Sequence, residues 1–179
     1  MLHINNESNI YFCTFTVINW IDVFSRQRYR DILIESFKFS QENKGLKIYA
    51  FVIMSNHVHC ILSADGDNLS DIIGAFKSFT AKKIINSIAN EPGESRKEWM
   101  IGQMKYVAKA RKTGSEHQFW SEGNHPVPLY NNEFFIQKLN YIHQNPVRAG
   151  IVKLPEHYVY SSASAYCGEA CLLDICLFG

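Results

Sequence analysis

Apolar and polar positions change rhythm several times along this chain, and each change marks an element. Ile10 to Val17 is dense in aromatic and β-branched residues and predicts a strand. From about Ser25 to Asn43, Tyr29, Ile32, Leu33 and Phe37 recur at helical spacing, and Gly45 closes that helix. Lys47 to Met54 reads as a second strand, Ser55-Asn56 as a tight turn, and His57 to Ser63 as a third strand running back. Leu69, Ile72, Ile73, Phe76, Thr80, Ile84 and Ile88 then form one helical stripe, capped by Asn68 or Ser70 and broken at Glu91-Pro92-Gly93. A basic, helical insertion over about 91–116 delays a fourth strand, expected near His117 to Trp120. Phe134 to Asn145 makes the last helix, stopped by Pro146, and the chain from Ala149 onward is mostly irregular, ending in a tail over 167–179. The order β-α-β-β-α-β predicts an α+β fold, the ferredoxin-like split β-α-β arrangement, as one domain over 1–179. Its antiparallel sheet carries helices on one face and leaves the other for a ligand, with a C-terminal helix added.

Composition narrows the class without naming it. With 179 residues, 46% hydrophobic and 20% charged, the chain can bury a sizeable core and is not a disordered or disulfide-stapled type. Its longest apolar run, Ala50 to Met54, is far too short to span a membrane, and Met1 to Asn9 is polar, so the expectation is a cytoplasmic, nucleoid-associated protein. Five cysteines, three of them in the tail (Cys167, Cys171, Cys176), match no zinc-site spacing and read as reduced thiols. The net charge of +1 conceals a local surplus. From Lys77 to Lys112 there are nine basic residues (Lys77, Lys82, Lys83, Arg96, Lys97, Lys105, Lys109, Arg111, Lys112) against Glu91, Glu94 and Glu98. Such a stretch suits phosphates, and equally suits a solvated helix face.

Two groups of residues carry candidate chemistry. His57 and His59 lie two apart on a strand, so both imidazoles project from one face and make half of a divalent-metal site. On the last helix Phe135, Leu139 and Ile142 form the buried stripe, while Tyr141 points about 120° away from it. Asn145 follows one turn later on the same edge, although its place before Pro146 biases it from helical dihedrals. His143 falls about 160° from Tyr141 and ranks below Asn145 as a ligand, as does His125. A tyrosine attacks only strongly polarised centres. A hard cation held by His57, His59 and the Asn145 amide oxygen would polarise a phosphodiester, and tyrosine attack would conserve the bond energy as a phosphotyrosine.

At this point the sequence resembles a known family. Phe51-Val52-Ile53-Met54-Ser55-Asn56-His57-Val58-His59 is similar to the HUH (His–hydrophobe–His) strand of the single-tyrosine transposases. Phe119 to Pro126 resembles a second block, Lys138 to Gly150 the helix that bears the nucleophile, and Pro155 to Ala163 the segment after it. The run Asn145-Pro146-Val147-Arg148-Ala149-Gly150 resembles the REP-associated tyrosine transposase branch.

The resemblance implies a metal-dependent endonuclease and strand transferase for single-stranded DNA, cutting at hairpins through a 5′-phosphotyrosine and releasing a 3′-hydroxyl. It implies His57 and His59 as metal ligands, Tyr141 as nucleophile, and Asn145 where the family often has a glutamine ligand. The cation implied is Mg2+ or Mn2+. Lys77, Lys82, Lys83, Lys105, Lys109 and Lys112 would track the DNA backbone, and Arg148 would hold the scissile phosphate. Relatives act as homodimers, or as monomers in the REP-associated branch. Two other readings are a catalytically silent hairpin-binding protein and an unrelated metal-dependent phosphodiesterase that needs no tyrosine.

Overall fold

The computed structural model describes residues 9–66, 68–112, 114–123 and 126–178. Four strands form one antiparallel sheet in the order β2-β3-β1-β4: β1 Tyr11–Thr16, β2 Leu46–Ile53, β3 His57–Ala64 and β4 Val127–Pro128. The helices are α1 Gln27–Lys44, α2 Leu69–Asn90, α3 Lys97–Arg111, α4 Asn132–Arg148 and the short α5 Ala163–Tyr166. The α+β class and split β-α-β order expected from the sequence are both present.

Side-chain alternation divides the sheet into two faces. Phe15 of β1 stacks toward Phe76 of α2, which in turn stacks on Phe37 of α1, with ring centroids 5.8 and 4.3 Å apart. This is the α1–α2 layer, and its apolar stripes supply most of the core. α1 ends where the pattern said: Gly45 takes φ 67°, and a Cβ there would come within 3.1 Å of the Asp65 side chain. The opposite face is less open than the sequence suggested. α4 crosses it, setting Phe135 edge-on to Tyr49 of β2 at 5.9 Å, and the tail covers more of it through Phe178, 4.3 Å from Phe135.

Two expectations need correction. The fourth strand is not His117–Trp120. That segment gives only an isolated bridge, Trp120 to Val17, while β4 pairs further on with Tyr11 and Phe12. The edge of β1 is therefore covered in two pieces, and Gly123, at φ 85°, follows the first of them. The last helix does not stop at Pro146; it runs through it to Arg148. Proline this close to the C-terminus disrupts only the final turn, and the exit is closed by Ile151 N–H donating to the Pro146 carbonyl with Gly150 at φ 71°. The chain after α4 is mostly irregular, as expected, yet it bonds to the sheet. Ile53 N–H donates to Tyr160 O, Ser162 N–H to Phe51 O and Cys176 N–H to Ile48 O, which closes the free edge of β2.

The basic insertion is docked rather than free. Met100, Met104, Val107 and Ala108 of α3 are buried, and a buried carboxylate fixes its entry. Glu94 is 1% exposed and takes Arg26 Nε at 2.6 Å, Arg96 Nε at 3.4 Å and the Tyr29 hydroxyl at 3.3 Å. Burial pushes its carboxyl pKa up, but the Arg96 N–H and the Arg26 guanidinium outweigh this and hold it below the ordinary value. Glu94→Ala removes the buried carboxylate shared by Arg26, Arg96 and Tyr29, while Arg96 keeps Asp22 and Arg26 keeps the Gly93 carbonyl, and is expected to cost about 2 kcal/mol of stability, checked by urea denaturation.

Candidate active site

β1 and β3 supply the floor of the site. Their register sets Thr14 opposite His59 and Thr16 opposite His57, so all four side chains point to the α4 face. His59 is 7% exposed and stacks on Phe12 at 5.4 Å. The two imidazoles lie 4.7 Å apart between centroids. α4 lays Tyr141 over them: its ring is 5.1 Å from His59 and its hydroxyl 3.4 Å from His59 Nε2. The structure thus brings His57, His59 and Tyr141 together.

Each imidazole has a partner at its Nδ1. His57 Nδ1 donates to Asn56 Oδ1 at 2.7 Å, and His59 Nδ1 lies 2.9 Å from Thr14 Oγ1. A neutral ring that gives up Nδ1–H in this way keeps its lone pair on Nε2. Both rings are neutral at physiological pH. Burial pushes the His57 pKa down, and burial pushes His59 to about 3, with any proton on His57 and the cations of Lys138 and Arg148 adding to the shift. Neutral imidazoles are the form that binds a cation.

The site carries positive charge from α4. Lys138 Nζ lies 4.9 Å from the Phe12 ring centroid, 5.2 Å from Phe134 and 6.0 Å from Tyr141. Arg148 places its guanidinium carbon 4.7 Å from the Tyr141 ring and donates from Nη2 to the Tyr141 carbonyl at 2.9 Å. Asn145 also turns to that carbonyl, donating from Nδ2 at 3.3 Å. Among the described residues its Oδ1 makes no hydrogen bond, to His57 and His59 included. Among the described residues, no three His, Cys, Asp or Glu side chains are grouped to hold a metal. A cation here would rest on two imidazoles completed by neutral oxygens, which fits the donors present and a phosphate as additional ligand.

The lysines of the basic stretch scatter. Lys77 is half-buried, its ammonium 5.9 Å from the Phe15 ring on the α1–α2 side, and burial lowers its pKa. With Lys82, Trp120 and Gln118 it lines a cleft of about 610 Å3 that does not include Tyr141, His57 or His59. Lys83 is paired with Glu35 at 2.7 Å and Lys105 with Glu116 at 3.1 Å, while Arg96 and Arg111 are also paired with carboxylates. Lys82, Lys109 and Lys112 are exposed and form no ion pair among the described residues. Lys112 leaves the helix at φ 53°, so it does not extend the edge of Lys105 and Lys109. Phe119 and Trp120 are buried core residues. His125 lies outside the described residues.

His143 faces away, its Nε2 2.9 Å from Ser162 Oγ and its ring 5.1 Å from Tyr166. Burial pushes its pKa down to about 4 from 6.5. The unfolded imidazole therefore takes up a proton between these values that the folded one refuses, and stability falls as pH drops through that window. His143→Gln keeps a neutral hydrogen-bonding group and is expected to remove about 2 kcal/mol of the loss between pH 7 and pH 4.5, read from urea melts. Sequence reasoning missed Thr14, Asn56, Trp20, Phe12 and Lys138. Only Asn56 and Lys138 carried a signal, one beside His57 and the other one turn before Tyr141.

The split antiparallel sheet thus gathers two histidines, a tyrosine hydroxyl and two cationic side chains at one site. The profile of the family described as "Transposase IS200 like" matches residues 7–108, more than half the chain, and the chain belongs to that family. Membership implies a DNA-cleaving enzyme of the transposase type. The matched segment contains His57 and His59 and ends before Tyr141. Among solved structures, a REP-associated tyrosine transposase bound to a REP hairpin is 17% identical, with all of this chain and 93% of that one covered at a TM-score of 0.61. A candidate transposase from Deinococcus radiodurans R1 is 15% identical, with 79% and 90% covered at a TM-score of 0.45. No curated protein matches the sequence. Among the described residues no helix is long and apolar enough to cross a membrane.

Proposed function

We propose that this protein is a metal-dependent endonuclease and strand transferase of the REP-associated type, acting on single-stranded DNA at hairpins through a phosphotyrosine. The observation that carries the reading is the Tyr141 hydroxyl 3.4 Å from His59 Nε2, in a site with two neutral imidazoles and two cations. Tyr141 Oη bonds to phosphorus, the bond from phosphorus to the 3′-oxygen breaks, and the phenolic proton ends on the released 3′-hydroxyl. The 5′-phosphate stays on the enzyme, and attack by another 3′-hydroxyl reverses the step and joins a new strand.

His57 and His59 would hold Mg2+ or Mn2+ through Nε2, with Asn145 Oδ1 as a third donor. Bound there, the cation supplies positive charge to polarise the phosphodiester. Thr14 and Asn56 fix the two rings, and Lys138 and Arg148 neutralise and orient the phosphate. Lys82, Lys109 and Lys112 are free to contact the DNA backbone, whereas Lys77, Lys83 and Lys105 are already engaged by protein groups. The likeness in fold to a protein bound to a REP hairpin supports hairpin DNA as the partner.

The test is a covalent-adduct assay. The protein is mixed with labelled single-stranded hairpin DNAs and Mn2+ or Mg2+, then resolved on a denaturing gel. A shifted band that disappears with chelator is expected. Tight hairpin binding with no band under any metal would make the protein a silent hairpin binder instead.

A further inference from the structure

We propose that Trp20 and the exposed edge of α3 form a stacking track for unpaired DNA bases leading into the site, a proposal that rests on the reading above. Trp20 is 65% exposed, whereas Trp120 is 4% exposed and shielded in the core. Trp20 and the preceding Asn19 both hold positive φ, 56° and 51°, a conformation disfavoured for residues with a Cβ. Two braces maintain it: Asn19 Nδ2 donates to Gln103 Oε1 on α3 at 3.0 Å, and Asn56 Nδ2 donates to the Trp20 carbonyl at 3.2 Å. The same Asn56 holds His57 through its Oδ1. The strained turn thus sets the indole edge-on to His57, 6.0 Å between centroids, with most of its surface in solvent. Strain and an exposed indole gain nothing for the core, and such features collect at ligand sites.

The track continues along α3. Gln103, which touches the Trp20 turn, lies between Trp99 four residues before and Tyr106 three after, so all three share one edge. Trp99 is 52% and Tyr106 70% exposed, and Lys109 follows one turn beyond Tyr106. Exposed aromatic rings interleaved with lysine suit an extended single strand, because every base offers a π-face and every linkage a phosphate. A duplex, whose bases are already stacked, would gain nothing from these rings.

The experiment measures fluorescence anisotropy of a labelled 20-nucleotide oligothymidine in chelator, so that no strand is cut. An abasic 20-mer and a 20-base-pair duplex serve as controls. Trp20→Ala is expected to weaken oligothymidine binding about tenfold, Trp20→Phe to stay within about threefold of wild type, and Trp99→Ala with Tyr106→Ala to weaken it further. Binding of the abasic strand and the duplex should be the same in all variants. Unchanged oligothymidine affinity in Trp20→Ala overturns the track and leaves the strand-transfer reading standing. An equal loss for oligothymidine and the abasic strand also overturns it, since the side chain would then act without stacking. If the wild type binds neither oligothymidine nor any hairpin, both readings fall together.

Discussion

Tyr141→Phe is expected to lower strand cleavage by about ten-thousandfold and to remove the covalent adduct altogether, while hairpin affinity in chelator stays within about twofold of wild type. The substitution deletes one oxygen from a side chain that is 39% exposed and whose hydroxyl makes one hydrogen bond among the described residues, to His59 at 3.4 Å. The ring keeps its neighbours: Phe12 at 6.1 Å, and the cations of Lys138 and Arg148 over its face. Nothing in the fold depends on the lost hydroxyl, so a fall in rate reports the nucleophile and not the scaffold. Single-turnover cleavage of a labelled hairpin, run beside equilibrium binding, separates the two. Cleavage retained at a tenth of the wild-type rate would point to water as the attacking group and to a hydrolase with a bystander tyrosine.

What the sequence disclosed, and what it did not, follows from the range of the interactions involved. His57 and His59 were legible as a pair because a strand has period two and the apolar run from Phe51 to Met54 announced the hairpin. Tyr141 was legible as an outward residue because α4 has a clean stripe, Phe135, Leu139 and Ile142, all buried. Thr14 was not: its contact with His59 exists only through the β1–β3 register, which joins residues 45 apart. The same is true of Lys138, whose position in its helix was plain but whose three aromatic neighbours come partly from β1. Charge counting overestimated the free cations, since Lys83, Arg96, Lys105 and Arg111 meet the carboxylates of Glu35, Asp22, Glu116 and Glu122, the first two far along the chain. Pro146 misled for a different reason. A proline in the last turn disturbs few hydrogen bonds, and packing of the helix outweighs that loss.

His57→Ala and His59→Ala are each expected to reduce Mn2+-dependent cleavage by about a thousandfold, the loss of several kcal/mol of electrostatic stabilisation. Removal of metal by chelator should do the same to the wild type, reversibly. Activity alone would not separate a ligand from a group that merely shapes the pocket, so the direct readout is Mn2+ binding by electron paramagnetic resonance. His59→Ala should weaken it beyond detection. Thr14→Val leaves the ring in place but removes the Oγ1 that lies 2.9 Å from His59 Nδ1, and should weaken Mn2+ about tenfold by freeing the tautomer. Asn145→Ala discriminates the third donor, because its Nδ2 only adds a bond to the Tyr141 carbonyl that Arg148 also satisfies. A tenfold loss of Mn2+ affinity there would make the amide oxygen a ligand; unchanged affinity would leave the cation to the two imidazoles and the DNA phosphate. If Mn2+ binds His59→Ala as well as it binds the wild type, the metal site lies elsewhere and the imidazole pair has another task.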